Sequence, residues 1–308
     1  MDHHLAARAR HERRKGRLFM LGAALCFSTG GVLVRFVGEA APVAIVFWRS
    51  VFMFAFIAVV LLAIHGRALP ARVRSMRSHA IASAAFLGAT FFFYVFAVSN
   101  TTVANASVLM STGPIFLALA AWAFLAERPP ASVWATIAAA MAGIALMFSE
   151  GMGAGRLPGN LYALGVPLAF TVNYIFLRRA PGKIDPVPVM MLAALFSALA
   201  ALPLAAALAA PLGAPPRAFA LFAALGVLQT GLGCVLMSLA IHRLPAAELG
   251  LIALTEAVLA PLWVWLGVGE APGPNALAGG AIVLGAVALN QAWALRAERR
   301  AAVATARE

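Results

Sequence analysis

The chain has 308 residues, of which 63% are hydrophobic and 11% are charged, and its mean hydropathy is +0.92. Soluble domains are about 45–50% apolar and about 25% charged, and a single core of this length has too little interior to bury the apolar excess. The net charge of +12 would point to nucleic acid in a soluble protein, but here the basic residues lie in short loops and tails, and no nucleic-acid-binding signature accompanies them.

Apolar runs of about 20 residues recur along the chain. This length crosses the hydrocarbon core as a helix at about 1.5 Å per residue, whereas a membrane β-barrel would show alternating segments of about ten residues. The sequence therefore predicts an all-α integral membrane protein. The ten predicted transmembrane helices cover approximately 18–37, 43–64, 79–98, 103–125, 131–149, 158–177, 187–209, 218–240, 246–268 and 275–295.

Proline stands at or near the start of most predicted spans, where the first helical turn needs no N–H group. These prolines are Pro42, Pro129, Pro130, Pro158, Pro186, Pro188, Pro215, Pro216, Pro245, Pro272 and Pro274. Cys26 and Cys234 lie inside apolar runs and lack metal-ligand spacing, and the sequence has no ATP-binding loop. We therefore predict neither a metal nor a cofactor.

Lysine and arginine are distributed unevenly between the two sides of the predicted bundle. Of the 23 basic residues, 19 belong to the two termini and the even-numbered loops, and only Arg35, Arg156 and Arg217 belong to the odd-numbered loops. Cytoplasmic loops carry such an excess of basic residues. We predict an integral protein of a bacterial-type plasma (inner) membrane with both termini in the cytoplasm.

Polar and aromatic residues recur at a constant offset of 143 residues. Thr112, Trp122 and Glu127 near the fourth span match Thr255, Trp265 and Glu270 near the ninth, and Ser28 and Arg35 match Thr171 and Arg178. Five spans per half is an odd number, so the halves enter the membrane from opposite faces. This arrangement is an inverted repeat, from which many secondary transporters are built.

The repeat divides the chain into five predicted parts. These are a basic tail at 1–16, a five-helix repeat at 17–150, a linker at 151–157, a second five-helix repeat at 158–295 and a second tail at 296–308. A shift of 142 also relates Ala139 and Gly143 to Ala281 and Gly285. Because this small-residue spacing lets helices approach closely, it predicts that spans 5 and 10 contact either their own halves or a second copy of the chain.

These residues carry a family resemblance. The segment 104–147, with Pro114, Trp122, Glu127 and Gly143, resembles the EamA-type repeat of the drug/metabolite transporter superfamily. The second half is similar to that family's second repeat through Leu225-Gly226, Leu244-Pro245-Ala246-Ala247, Glu256 and Gly269-Glu270. The resemblance covers about residues 16–295. Ala257 departs from the family pattern, which often has proline there; this puts a break of the ninth helix in doubt, while Pro114 keeps one available in the fourth.

The resemblance implies a basket of ten helices. Spans 1, 3, 4, 6, 8 and 9 would line a central cavity, and spans 5 and 10 would lie at the periphery. It also implies export of metabolites, commonly amino acids. Within the family the chain is most similar to exporters of aromatic and other neutral amino acids, so the expected partners are a small-molecule substrate and the lipid bilayer.

Polar residues near mid-span come from the helices that the family places around its cavity. The candidate substrate-binding residues are Ser28, Tyr94, Ser111, Asn173, Tyr174, Gln229 and Glu256. The amides of Asn173 and Gln229 suit a polar head group, and the tyrosine rings suit stacking. Serine and threonine at this depth also bond their own helix backbone or join helix pairs, so both interpretations stay open for them.

Two charged residues lie within predicted spans. Glu256 is the only acid near the middle of a span, where a charge costs about 2.5–3.5 kcal/mol on insertion scales. It is a candidate for proton coupling, for binding a substrate ammonium group, or for a structural pair with Arg49. Arg49 lies about two turns into the second span and is a possible partner for a carboxylate of the protein or of the substrate.

The sequence thus predicts a gradient-driven or exchange transporter that exports a small metabolite, with amino acids as the first choice, by alternating access. A multidrug exporter of lipophilic cations is the alternative, because Glu256 alone could serve a cation. An intramembrane protease or lipid transferase is disfavoured, since His65, His79 and His242 lie at span ends and the spans hold one clear carboxylate, Glu256. Monomer and homodimer are both compatible with the sequence.

The charge distribution generates a test of topology. Cysteines introduced next to Arg10 and Arg300 should react with a membrane-impermeant thiol reagent only after cells are opened, because both sites are predicted to be cytoplasmic. Labelling of either site in intact cells would contradict the predicted orientation.

Overall fold

The computed structural model describes residues 2–74, 76, 78–125, 131–153, 156–179, 185–241, 243–244 and 246–305. Glu127 of the repeat, the basic residues Arg77, Arg128, Lys183 and Arg307, and the prolines Pro129, Pro130 and Pro245 lie outside these residues. All regular structure in the described residues is helical. The predicted all-α class is therefore confirmed for this part of the chain.

The helices follow one another through short connections. In chain order they are α1 (Asp2–Ser28), α2 (Gly30–Val37), α3 (Pro42–His65), α4 (Leu69–Arg74), α5 (Ser78–Asn100), α6 (Val103–Met110), α7 (Gly113–Leu125), α8 (Ala131–Gly153), α9 (Leu157–Arg179), α10 (Pro186–Ala207), α11 (Pro216–Ala223), α12 (Gly233–Ile241), α13 (Ala246–Val268) and α14 (Pro274–Thr305). A 3₁₀ turn covers Gly66–Ala68, and a π-helix, Ala224–Leu232, joins α11 to α12. The helices α1 and α14 extend into the segments predicted as tails.

Local chemistry explains where several helices begin. Pro42, Pro186, Pro216 and Pro274 are first residues of their helices, as the sequence predicted, since the first turn makes no use of an N–H group. The Asp185 side chain caps α10 by accepting a 3.1 Å hydrogen bond from the Val187 N–H.

Seven helical segments in the described residues are long and apolar enough to cross a membrane: His11–Val37, Pro42–Ala68, Ser78–Asn100, Val103–Phe124, Leu157–Arg179, Pro186–Ala207 and Pro216–Ile241. Three shorter apolar helices, Ala131–Leu146, Ile252–Val268 and Pro274–Asn290, coincide with the fifth, ninth and tenth predicted spans. Large apolar side chains such as Val59, Ile64 and Leu266 are more than 60% exposed. A soluble surface rarely carries so much exposed apolar area, so lipid is the solvent of these faces.

The two halves of the chain are interleaved. The most extensive helix contacts pair α5 with α9, α3 with α10, α8 with α14, and α1 with both α12 and α13. Each of these pairs joins one half to the other. Polar bonds reinforce them: Ser83 on α5 donates to Asn173 on α9 at 2.6 Å, and Ser50 on α3 donates to Ser197 on α10 at 3.1 Å. Neither half packs as a bundle of its own.

The corresponding glycines of the two small-residue pairs, Gly143 and Gly285, differ in burial and packing. Gly143 on α8 is buried against α14, where an added Cβ would lie 2.7 Å from the Gly279 carbonyl oxygen and 2.8 Å from Val283. Gly285 on α14 is exposed and has open space around it. The prediction that spans 5 and 10 pack against their own halves is therefore wrong for Gly143, because α8 and α14 close on each other across the repeat.

This asymmetry gives a matched pair of variants. We expect Gly143→Ala to destabilise the fold by about 1–3 kcal/mol, since the new methyl group overlaps backbone that cannot move aside. Gly285→Ala should leave stability within about 0.5 kcal/mol of the wild type. Thermal unfolding of the detergent-purified proteins measures both, and equal losses would show that the α8–α14 contact does not depend on Gly143.

Candidate functional site

A cavity of about 190 Å³ lies between α5, α6 and α13. Its lining consists of Tyr94, Val98, Val103, Ser107, Met110, Ser111, Ala253, Leu254, Glu256, Ala257 and Ala260. The structure thus brings together three of the predicted site residues, Tyr94, Ser111 and Glu256. These lining residues belong to the third, fourth and ninth predicted spans, half of the six that the family resemblance implied.

Glu256 is the one charged residue of this lining. Its side chain is partly buried, and within the described part of the chain its carboxylate has no hydrogen bond and no ion pair. The expected structural pair with Arg49 is absent from the described contacts. A carboxylate facing an apolar cavity without a partner is costly, and a bound cation or proton would remove that cost.

Two spans are interrupted, one at Ser111 in the cavity lining and one at the start of α2, where Gly30 lies against Tyr94. α1 ends at Ser28 and α2 begins at Gly30, while α6 and α7 are separated by Ser111 and Thr112. By contrast α13 runs without a break past Ala257, so the break that was in doubt for the ninth span is absent there. At these breaks hydroxyl groups bond the preceding turn: Ser28, Ser111 and Thr112 each donate to the carbonyl three residues earlier at 2.6–2.8 Å. Transporter sites are commonly formed at such discontinuous helices.

The Tyr94 side chain occupies the centre of the assembly. Its hydroxyl lies against Gly30 at the start of α2, where an added Cβ would collide with it and would approach the Gln229 amide nitrogen to 3.0 Å. Glycine at this position lets the tyrosine reach the break in the first span. Gln229 belongs to the π-helix Ala224–Leu232, a rare backbone form that is frequent at functional sites.

Arg49 lies behind Tyr94 and away from the cavity lining. It is only 2% exposed, and its guanidinium carbon is 5.1 Å from the Phe91 ring centroid and 5.4 Å from that of Tyr94. Within the described residues the guanidinium has no hydrogen-bond partner, and its buried Nε is unsatisfied. Each cation–π contact contributes about 0.5–2 kcal/mol. The two rings stabilise the buried positive charge in part, but they do not supply an anion.

Arg35 lies in the last turn of α2, and each of its three guanidinium nitrogens donates a hydrogen bond. Its Nε donates to Glu270 Oε2 at 2.7 Å, and its two Nη groups donate to the carbonyl oxygens of Val98 at 2.7 Å and Thr101 at 2.9 Å. The other carboxylate oxygen of Glu270 accepts from the Val103 N–H at 2.8 Å. We call these five residues the Arg35 clamp. It ties the end of the first span to the α5–α6 turn and to the connection between α13 and α14.

A second cavity of about 280 Å³ lies on another side of Arg35. Its lining includes Arg35 itself, Glu39 and Ser99, together with Val34, Gly38, Ala40, Ala41, Pro42 and Ile45. The first cavity is bordered by Val98 and Val103, whose backbone groups belong to the clamp. Residues of the clamp therefore border both cavities.

The other predicted site residues do not line either cavity. Ser28 is completely buried and accepts a 3.0 Å hydrogen bond from the Trp263 indole, while Asn173 accepts from Ser83 between α9 and α5. Tyr174 is 38% exposed and its hydroxyl accepts from Arg178 at 3.3 Å. The amide of Gln229 is buried beside Thr230 and donates to the Phe27 carbonyl at 3.4 Å. These contacts give the four residues structural partners in this conformation.

Sequence reasoning missed the clamp. It placed Arg35 in an odd-numbered loop and used Glu270 only as a residue of the repeat and of the family resemblance, without joining the two. The repeat contained a signal, because Arg35 and Glu270 correspond to Arg178 and Glu127 at the same offset of 143. Two residues of opposite charge that both recur at span ends are candidates for one contact.

Comparison with known proteins agrees with the geometry. A model of the EamA-like transporter family matches the chain twice, over residues 14–149 and 157–291, and the two matches begin at the offset that the repeated residues show. One solved crystal structure matches with a TM-score of 0.65 and 21% identity, covering 92% of this chain and 98% of that one; this likeness shows a shared fold. No curated protein matches the sequence.

The two matches of the family model together span most of the chain, and they place both the Glu256 cavity and the Arg35 clamp inside the matched regions. The described residues supply the apolar helices that such a protein requires. The chain therefore belongs to the EamA-like transporter family, whose members are membrane transporters of the drug/metabolite type.

Proposed function

We propose that this protein is a secondary transporter that exports small metabolites, with amino acids as the favoured class, by alternating access. In this proposal ten spans form an inverted repeat in a bacterial-type inner membrane, with both termini in the cytoplasm. The observation that carries it is Glu256: an unpaired acid facing an apolar cavity beside an interrupted helix. Carboxylates inside a membrane mark substrate or ion pathways.

The proposed energy source is an ion gradient or substrate exchange. If Glu256 takes up a proton from one side and releases it to the other, each proton that crosses 100 mV supplies roughly 2.3 kcal/mol. That energy corresponds to a gradient of about fifty-fold. Alternatively Glu256 binds the ammonium group of the substrate directly, and exchange drives the cycle.

Recognition of an amino acid also requires a partner for its carboxylate, and Arg49 is the proposed one. Among the described residues its guanidinium has no anion, and it packs on the ring of Tyr94, a residue of the cavity lining. A turn of that ring away from Gly30 would open Arg49 toward the cavity. Arg49 favours a substrate with a carboxylate over the alternative substrate, a lipophilic cation, which has no use for Arg49. Where Glu256 binds the ammonium group, the two opposite charges together suit a zwitterion.

Glu256→Gln tests the role of the acid, because glutamine keeps the shape and removes the charge. In liposomes we expect proton-driven accumulation of amino acids to be lost while exchange at zero gradient continues. Accumulation and exchange of radiolabelled substrate are measured with Glu39→Gln as the control, an acid in the second cavity. A loss of affinity in exchange would assign Glu256 to the ammonium group, and unchanged accumulation with unchanged pH dependence would make it structural.

Arg49→Gln tests the carboxylate contact. A hydrogen bond to a charged group contributes about 1.5–3 kcal/mol, so affinity for an amino acid should fall about 10- to 150-fold. The matching amine, which lacks the carboxylate, should bind equally well to the wild type and to Arg49→Gln. Competition with the transported substrate measures both ligands.

Equal losses for the amino acid and the amine would assign Arg49 to folding. Tight binding of cationic dyes with no binding of amino acids would favour the multidrug exporter.

A further inference from the structure

We infer that the Arg35 clamp is a gate of the transport path and that the second cavity is the vestibule beyond it. The inference rests on the proposed function, since a gate has meaning only in a transporter. It concerns residues that are separate from Glu256 and Arg49. Its first support is position: Val98 and Val103 of the clamp line the first cavity, and Arg35 of the clamp lines the second.

The clamp shares residues with the lining of both cavities. Val98 and Val103 belong to the lining of the first cavity, and the Val98 carbonyl and the Val103 N–H are bonded to Arg35 and Glu270. The Arg35 side chain contributes to the lining of the second cavity. In the inferred path a substrate moves from the first cavity to the second past the Arg35–Glu270 bond.

The second support is connectivity. Arg35, Val98, Thr101 and Val103 belong to the first half of the chain, and Glu270 belongs to the second. Glu270 has two bonds in the clamp, one from Arg35 and one from the Val103 N–H. Loss of the Arg35–Glu270 contact therefore removes the ion pair between the halves and leaves the connection between α13 and α14 bonded to the α5–α6 turn only through Val103. Alternating access requires a closure between the halves that can form and break.

The third support is the setting of the ion pair. The side chains of Arg35 and Glu270 are 26% and 23% exposed, in contrast to the fully enclosed Arg49. Water in the second cavity can therefore hydrate both charges when they part. A pair of this kind can close and open, whereas a fully buried pair would leave two uncompensated charges on separation.

The test measures access to the first cavity without any substrate. Ser107 lines that cavity about one helical turn beyond Val103, and Ser99 lines the second cavity. In a chain without reactive cysteines (Cys26→Ser, Cys234→Ala), either Ser99→Cys or Ser107→Cys is introduced. A membrane-impermeant thiol reagent is applied to sealed vesicles of each orientation, and Ser99→Cys identifies the side to which the vestibule opens.

From that side Ser107→Cys should react slowly while the clamp is intact and at least tenfold faster with Glu270→Gln or Arg35→Gln. Glu39→Gln, which removes a vestibule acid outside the clamp, should leave the rate unchanged, and Ser99→Cys should react equally in all backgrounds. These two controls separate gate opening from general unfolding. An unchanged Ser107→Cys rate in both clamp variants, or an equal increase with Glu39→Gln, would overturn the gate.

The outcome is independent of the proposed substrate. Reagent access to Ser107→Cys reports the gate even where liposomes transport no amino acid. Conversely, transport that depends on Glu256 alongside an unchanged labelling rate would retain the proposed function and reject the gate.

Discussion

Lipid offers no hydrogen-bond partners, so each polar group within this helical bundle must find one in the protein. The described hydroxyls meet this requirement mostly within their own helices: Ser28, Ser111 and Thr112 all bond the carbonyl three residues earlier. Others, such as Ser83 with Asn173, bond across helix pairs. The few polar groups left over are therefore informative, because each carries a cost that a ligand or a change of conformation can remove.

Arg35 and Arg49, both in the first half of the chain, show two different outcomes of this constraint. Arg35 donates to a carboxylate and two carbonyl oxygens at a junction beside a cavity. In the part of the chain that the structure describes, the Arg49 guanidinium contacts the faces of two aromatic rings and no anion. Arg35 stabilises this conformation through its hydrogen bonds, and Arg49 can still bind an anion. A transporter needs both kinds of site, since one part must hold and release its own structure while another holds and releases a substrate.

Interleaving of the halves gives these local sites a global effect. The dominant helix contacts all join one half to the other, so a shift of one half displaces most interfaces at once. Close approach is possible where glycine removes the side chain, as at Gly143 against Gly279 and at Gly226 against the Arg49 carbonyl oxygen. The π-helix beside Arg49 supplies a backbone segment with unusual hydrogen bonding at the place where the two halves meet.

The sequence by itself determined the all-helical class, the apolar segments and the twofold repeat, because each depends on local composition and spacing. It also selected Tyr94, Ser111 and Glu256 by their depth in predicted spans, and all three line one cavity. Only the tertiary structure decided that Asn173 and Tyr174 lie outside that cavity, that α8 closes on α14, and that Arg35 meets Glu270 across 235 positions. Depth along a helix can be read from sequence, but the direction in which a side chain points around the helix depends on which helices pack against it.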